Sequence, residues 1–196
     1  MTYRVVVAAS GRGSNLLALG DALARRPEEA AIVAVLSDRD APALELARQR
    51  GWPAIRLLTP AEPLEMTSAL RACRADLLVL AGYLRLIPSE VVQEWQGRII
   101  NIHPSLLPRH GGVGMYGRRV HAAVLAAGDT TSGATVHLVD EVFDRGEILA
   151  QGTVPVRAED SPESLAARVL EVEHRLLPKA VLVAAEHRRP VAFTLD

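Results

Sequence analysis

The sequence predicts an α/β fold: a Rossmann-like, mostly parallel sheet with helices on both faces, and a C-terminal part that adds antiparallel or mixed edge strands. Three observations lead there. Short, continuously apolar segments recur along the first hundred residues, as expected of strands buried on both faces. Helix-forming stretches alternate with them. After Pro108 the alternation stops, and two strand-like segments follow one another with no crossover helix between them.

Residues 3–8 read as a β-branched strand, and 11–15 as a tight turn opening a helix near Ser14. Residues 31–36 are a second strand, followed by an acidic turn at Asp38 and Asp40 and a helix over 42–50. A third strand is expected at 54–58, a polar helix at 61–74 and a fourth strand at 76–81. Pro88 starts a short helix through Trp95, proline being favoured at the first helical position, and 98–102 is the fifth strand. The segment GGVGMYG at 111–117 holds four of the 14 glycines and is expected to be a mobile loop. Its Met115 and Tyr116 are read either as a lid tip or as loop packing. A helix over 118–127 follows, then strands at 133–139 and 148–156 around an acidic turn. Ser161 caps the last helix with Pro162 at its first position, and Leu165, Val169, Val172 and Leu176 form its apolar stripe. No repeat or linker divides the chain, so a single domain over 1–196 is expected.

Composition excludes several function classes. With 22 basic and 23 acidic side chains the net charge is −1, so the basic excess of a nucleic-acid binder is missing. A hydrophobic content of 49% excludes a disordered chain. The single cysteine, Cys73, cannot form an internal disulfide, and it reads as a small buried residue of a helix in a reducing compartment. Apolar runs such as AAIVAVL at 30–36 fall far short of the roughly 18 residues of a membrane span. The first apolar stretch is too short for a signal peptide. A cytoplasmic protein without membrane contact is expected, and a homodimer is left open.

Three motifs could carry chemistry. Gly11-Arg12-Gly13-Ser14-Asn15-Leu16 places glycines at a helix start, where freed backbone amides and the helix dipole favour an anion. It lacks the third glycine of a dinucleotide fingerprint and the lysine of a P-loop, so one phosphate suits it better than a pyrophosphate. The alternative is a plain strand-to-helix turn. The second motif, Asn101-Ile102-His103-Pro104, puts an amide and an imidazole on one side of a strand end, where both can address a developing oxyanion. The alternative is a structural pair. The third is the acidic turn Asp140-Glu141-Val142-Phe143-Asp144, whose carboxylates could be solvated or could orient His103 and keep it charged. Asn15 and Asn101 are the only asparagines, and both lie in these motifs, through a required amide or through turn chemistry. His110, His121 and His137 have no ligand spacing and are read as surface or core residues, so no metal is expected.

In this order the motifs resemble those of the 10-formyltetrahydrofolate-dependent formyltransferases. The segment from Asn101 to Pro108 carries the family chemistry, and Ser10 to Leu16 points to the branch acting on glycinamide ribonucleotide in purine biosynthesis. The resemblance implies a catalytic trio of Asn101, His103 and Asp144, with His103 kept cationic by Asp144. It implies ribonucleotide contacts at Gly13, Ser14, Asn15, Leu170 and Glu173. It implies folate contacts at Leu84, Arg85, Leu86, Ile87 and Asn101, and along Asp140, Glu141, Val142, Phe143 and Asp144. Residues 1–100 then form a phosphate- and nucleotide-binding half, and 101–196 a catalytic and folate-binding half. 10-Formyltetrahydrofolate is the expected cosubstrate. The GGVGMYG loop replaces the family's familiar Pro-Gly, so its contacts stay unassigned. The rival readings are a 10-formyltetrahydrofolate hydrolase and a nucleotide-sensing module in which Asp38 reads a ribose.

Overall fold

The computed structural model describes residues 1–195. The strands β1 (Tyr3–Ala8), β2 (Ala30–Ser37), β3 (Ala54–Arg56), β4 (Leu77–Leu80) and β5 (Ile99–His103) pair in parallel. Strands β6 (Thr131–Leu138) and β7 (Ile148–Pro155) add to one edge antiparallel, giving the order β3-β2-β1-β4-β5-β6-β7. Both the parallel sheet and its antiparallel edge match the expectation from sequence.

Alternation along the strands divides the core in two. Val5 and Val7 of β1, with Ile100 and Ile102 of β5, join one apolar layer. Helices α1 (Ser14–Leu23), α2 (Pro42–Gln49), α5 (Arg118–Ala126) and α6 (Pro162–His187) contribute to that layer. Val6, Ala8 and Ile99 face the other way, onto α3 (Pro63–Ala72) and α4 (Ser89–Glu94). A sheet covered on both faces explains why its central strands carry almost no polar residues.

The differences from the sequence reading are local and have physical causes. Strand β3 stops at Arg56 because the amides of Leu58 and Thr59 turn to the Glu65 carboxylate, at 2.6 and 2.9 Å. Pro88 is the cap of α4 rather than its first residue, with an extended ψ of 140°. Cys73 caps α3 from a half-buried position and accepts the Arg4 Nε–H with its carbonyl. Helix α6 starts in a reciprocal Ser161–Ser164 capping box and runs 26 residues, through the buried Pro178.

Two features bring chemistry to the carboxyl end of the sheet. The strand order reverses between β1 and β4, which opens a crevice there. The antiparallel register then sets Asn101 opposite His137 and His103 opposite Thr135. A shift in the β6–β7 register falls between Val136 and His137, and such a bulge re-aims the side chains beside it.

The β6–β7 ladder tolerates no side chain at Gly133, where a Cβ would lie 2.0 Å from the Gly152 carbonyl oxygen. Gly133→Ala is expected to destabilise the protein by about 2–3 kcal/mol, read from urea unfolding. An unchanged midpoint would mean that the ladder can open at no cost.

Candidate active site

A cleft of about 870 Å³ lies at the carboxyl ends of β1, β4 and β5 and is lined from both ends of the sequence. That volume is in the range of small-molecule sites. Asn101, His103 and Asp144 all line it. His103 sits on the last residue of β5 and is 3% exposed, and Asp144 reaches it from the loop after β6. The Asp144 backbone adopts φ 57°, a left-handed conformation that aspartate tolerates better than most residues.

Asp144 is the centre of the trio's polar contacts. One Asp144 oxygen accepts the Gly112 amide at 2.9 Å and lies 3.5 Å from His103 Nδ1. The other takes the Asn101 amide at 3.4 Å and lies 3.5 Å from His137 Nε2. His137 Nδ1 donates to the Leu138 carbonyl at 2.7 Å, so its Nε2 is free to accept the Asn101 amide at 3.1 Å. His103 Nε2 donates to the His110 carbonyl at 2.9 Å. A carbonyl only accepts, so neutral His103 carries its proton on Nε2 and turns a bare Nδ1 toward Asp144.

The expectation that Asp144 keeps His103 cationic is not met. Burial pushes the imidazole below its ordinary pKa, and the nearby Asp144 charge and the His110 carbonyl offset this only in part. The resting ring is biased toward its neutral form. Asp144 itself stays below the usual carboxylate range: burial opposes its charge, but its polar neighbours, the Gly112 amide among them, outweigh it.

The ribonucleotide candidates meet at the opposite wall. Gly13 precedes α1 with φ 83°, and a Cβ there would come within 3.2 Å of Ala43 Cβ. Only glycine combines that backbone with such close packing. Ser14 lines the cleft from the first turn, and no side chain caps the helix. Asn15 donates to Glu173 at 2.5 Å, so two of the expected contacts are joined directly. Leu170 lies one turn before Glu173 on the same wall. Burial raises the Glu173 carboxyl to about 7, against the opposing hydrogen bond from Asn15.

The folate candidates form an apolar cradle of Leu84, Leu86, Ile87, Val142 and Phe143, with Arg85 and Asp140 beside them. Glu141 is the exception, because its carboxylate accepts Gln93 Nε2 at 2.8 Å and does not line the cleft. Asp140 closes a turn onto the Val142 amide at 2.9 Å. Behind the cradle, Ser10 Oγ accepts the Leu84 amide and donates to Asp38, which also holds Arg39 and Arg85. These hydrogen bonds outweigh the opposing effect of burial and bring Asp38 to about 2. Its side chain is fully buried and saturated, which removes the reading of Asp38 as a ribose contact. The glycine loop forms a wall from Gly112 to Gly117, anchored by the Gly112–Asp144 bond.

The sequence marks His137 and His121 only as surface or core residues rather than metal ligands. Both are buried and line the cleft. Strand alternation and the antiparallel register together would have set His137 beside Asn101. Among the described residues no His, Cys, Asp or Glu group is arranged to hold a metal ion, and no helix is long and apolar enough to cross a membrane.

The formyl transferase family model matches residues 3–181. The chain belongs to the formyl transferase family. It is 40% identical over 192 residues to the chloroplastic phosphoribosylglycinamide formyltransferase of Vigna unguiculata, covering 94% of this chain and 62% of that protein. The chain thus spans about three fifths of that relative's length. The phosphoribosylglycinamide formyltransferase of Haemophilus influenzae is 37% identical, with 94% of this chain and 88% of that protein covered. Among solved structures, the phosphoribosylglycinamide formyltransferase of Anaplasma phagocytophilum superposes with a TM-score of 0.88 at 37% identity, covering 95% of this chain and 88% of that one. A formyltetrahydrofolate deformylase from Pseudomonas syringae superposes at 0.81 with 27% identity, covering 95% and 62%.

In this formyl transferase, the raised carboxyl of Glu173 makes a stability prediction. A raised folded-state pKa stabilises the fold below the ordinary carboxylate value and loses that stabilisation as pH rises to about 7. The wild-type Tm is expected to fall by about 5 °C across that window, and Glu173→Gln to lack the step. The same fall in both proteins would assign it to another group.

Proposed function

We propose that this chain transfers the formyl group of 10-formyltetrahydrofolate to the amine of glycinamide ribonucleotide in de novo purine biosynthesis. The observation that carries the reading is the convergence of Asn101, His103 and Asp144 in one cleft with the α1 N-terminus and Glu173. The apolar cradle at Leu84–Ile87 and Val142–Phe143 suits a flat heterocycle. The first-turn amides and Ser14 suit a single phosphate. Asn15 then acts by orienting Glu173 toward the ribonucleotide rather than by holding phosphate with its own amide. A cytoplasmic setting fits the single cysteine.

In the proposed reaction the amine attacks the formyl carbon, forming a carbon–nitrogen bond and an oxyanion. The Asn101 amide meets that oxygen by giving up its long 3.4 Å bond to Asp144. A preorganised donor of this kind contributes about 10²–10³ in rate. Neutral His103 accepts the amine proton at Nδ1, and Asp144 stabilises the imidazolium as it forms. The same proton then passes to the folate nitrogen as its bond to carbon breaks, a transfer worth about 10²–10⁴. Atoms and charge balance without a covalent enzyme intermediate, and no step calls for a metal ion.

Tetrahydrofolate release, followed spectroscopically, is expected to be fast only when glycinamide ribonucleotide is present. Equal rates without it would replace the transferase by a hydrolase, the activity named for the Pseudomonas syringae neighbour.

The corrected charge of His103 sets the sign of its pH dependence. Activity that needs the neutral base rises with pH through the lowered pKa of His103. Asp144→Asn removes the charge that opposes this lowering, so the acidic limb of kcat should move to still lower pH, with a plateau about 10²-fold down. His103→Ala should abolish the sensitivity to Asp144, since residues acting as one unit are non-additive. A limb that stays in place in Asp144→Asn would break the pairing.

A further inference from the structure

His103 is held on the side away from Asp144 by a residue in a left-handed conformation. The His110 carbonyl accepts His103 Nε2–H, and His110 sits at φ 55°, in the left-handed region that few residues other than glycine occupy, histidine more readily than most. The two glycines that follow it cannot hold that conformation by side-chain packing. The His110 ring can, because its Nε2 donates to Asp129 at 2.7 Å. Asp129 lies in the short turn between α5 and β6, its amide bonded to the Val124 carbonyl at 3.3 Å, and its side chain is 7% exposed. It also pairs with Arg109, whose carbonyl accepts Ser105 Oγ at 2.7 Å.

We propose that Asp129 and His110 are positioning residues that fix the tautomer of His103. This rests on the reading of His103 as the proton acceptor of formyl transfer. The alternative tautomer would place the proton on Nδ1, where Asp144 is 3.5 Å away and would bind it. That ring would be satisfied and useless, because its lone pair would face His110 rather than the cleft. The His110 carbonyl prevents this by demanding a donor at Nε2, and Asp129 holds the carbonyl in place through the ring. Nδ1 is thereby kept bare, with no proton shared between it and Asp144 until one arrives from the substrate.

The tautomer is read directly from the ¹⁵N ring signals of His103 in the ligand-free protein, assigned by their loss in His103→Gln. The wild type should show the proton on Nε2. Asp129→Ala should shift His103 toward the Nδ1–H form and lower kcat about tenfold, with KM for both substrates within about twofold. Asp129→Asn keeps an oxygen for His110 and should restore the Nε2–H tautomer and most of kcat. His110→Gly retains access to positive φ without the ring and should repeat the Asp129→Ala result. An Nε2–H signal unchanged in both Asp129→Ala and His110→Gly would overturn the proposal, as would a loss of kcat without a change of tautomer. A wild type inactive in formyl transfer would instead defeat the functional reading and leave the ring signals interpretable on their own.

Discussion

The site depends on one buried carboxylate. Asp144 draws together β5 through Asn101 and His103, β6 through His137, and the glycine loop through the Gly112 amide. None of these segments is adjacent to another in sequence at the point of contact. An ion in so dry a position persists only when several dipoles converge on it. The same convergence leaves Asp144 3.5 Å from the His103 and His137 rings, close enough to stabilise a positive charge formed on either.

The competition between burial and charge determines what this arrangement can do. His103 and Asp144 are both withdrawn from water, yet they respond oppositely, because Asp144 is supplied with donors and His103 with only one distant anion. The imidazole is therefore biased toward its neutral form, while Asp144 stands close enough to stabilise its cation. Glu173 shows the same physics at the other wall, where one amide is too little to keep a buried carboxyl ionised against desolvation.

Much of the architecture is legible in the residues themselves. Continuous apolar runs mark strands buried on both faces, and the missing crossover after Pro108 marks the antiparallel edge. Asn101 and His103 could be set on one side of a strand by alternation alone. What period and propensity do not encode is where side chains compete for the same partner. Glu65 ends β3 early, Gln93 draws Glu141 away from the cleft, and burial reverses the expected charge of His103. His137 was missed for a related reason: its role comes from register against β5, which only pairing across strands reveals.

The hydrogen bond from Asn15 to Glu173 spans 158 residues of chain. During synthesis the turn that opens α1 emerges among the first segments, while its partner on α6 emerges after every strand of the sheet has been made. The wall of the cleft that α6 supplies is therefore the last to be made. The turn before α1, the parallel sheet and the Asn101–His103–Asp144 cluster are all made before the segment that carries Leu170 and Glu173, so only the last helix completes the enclosure.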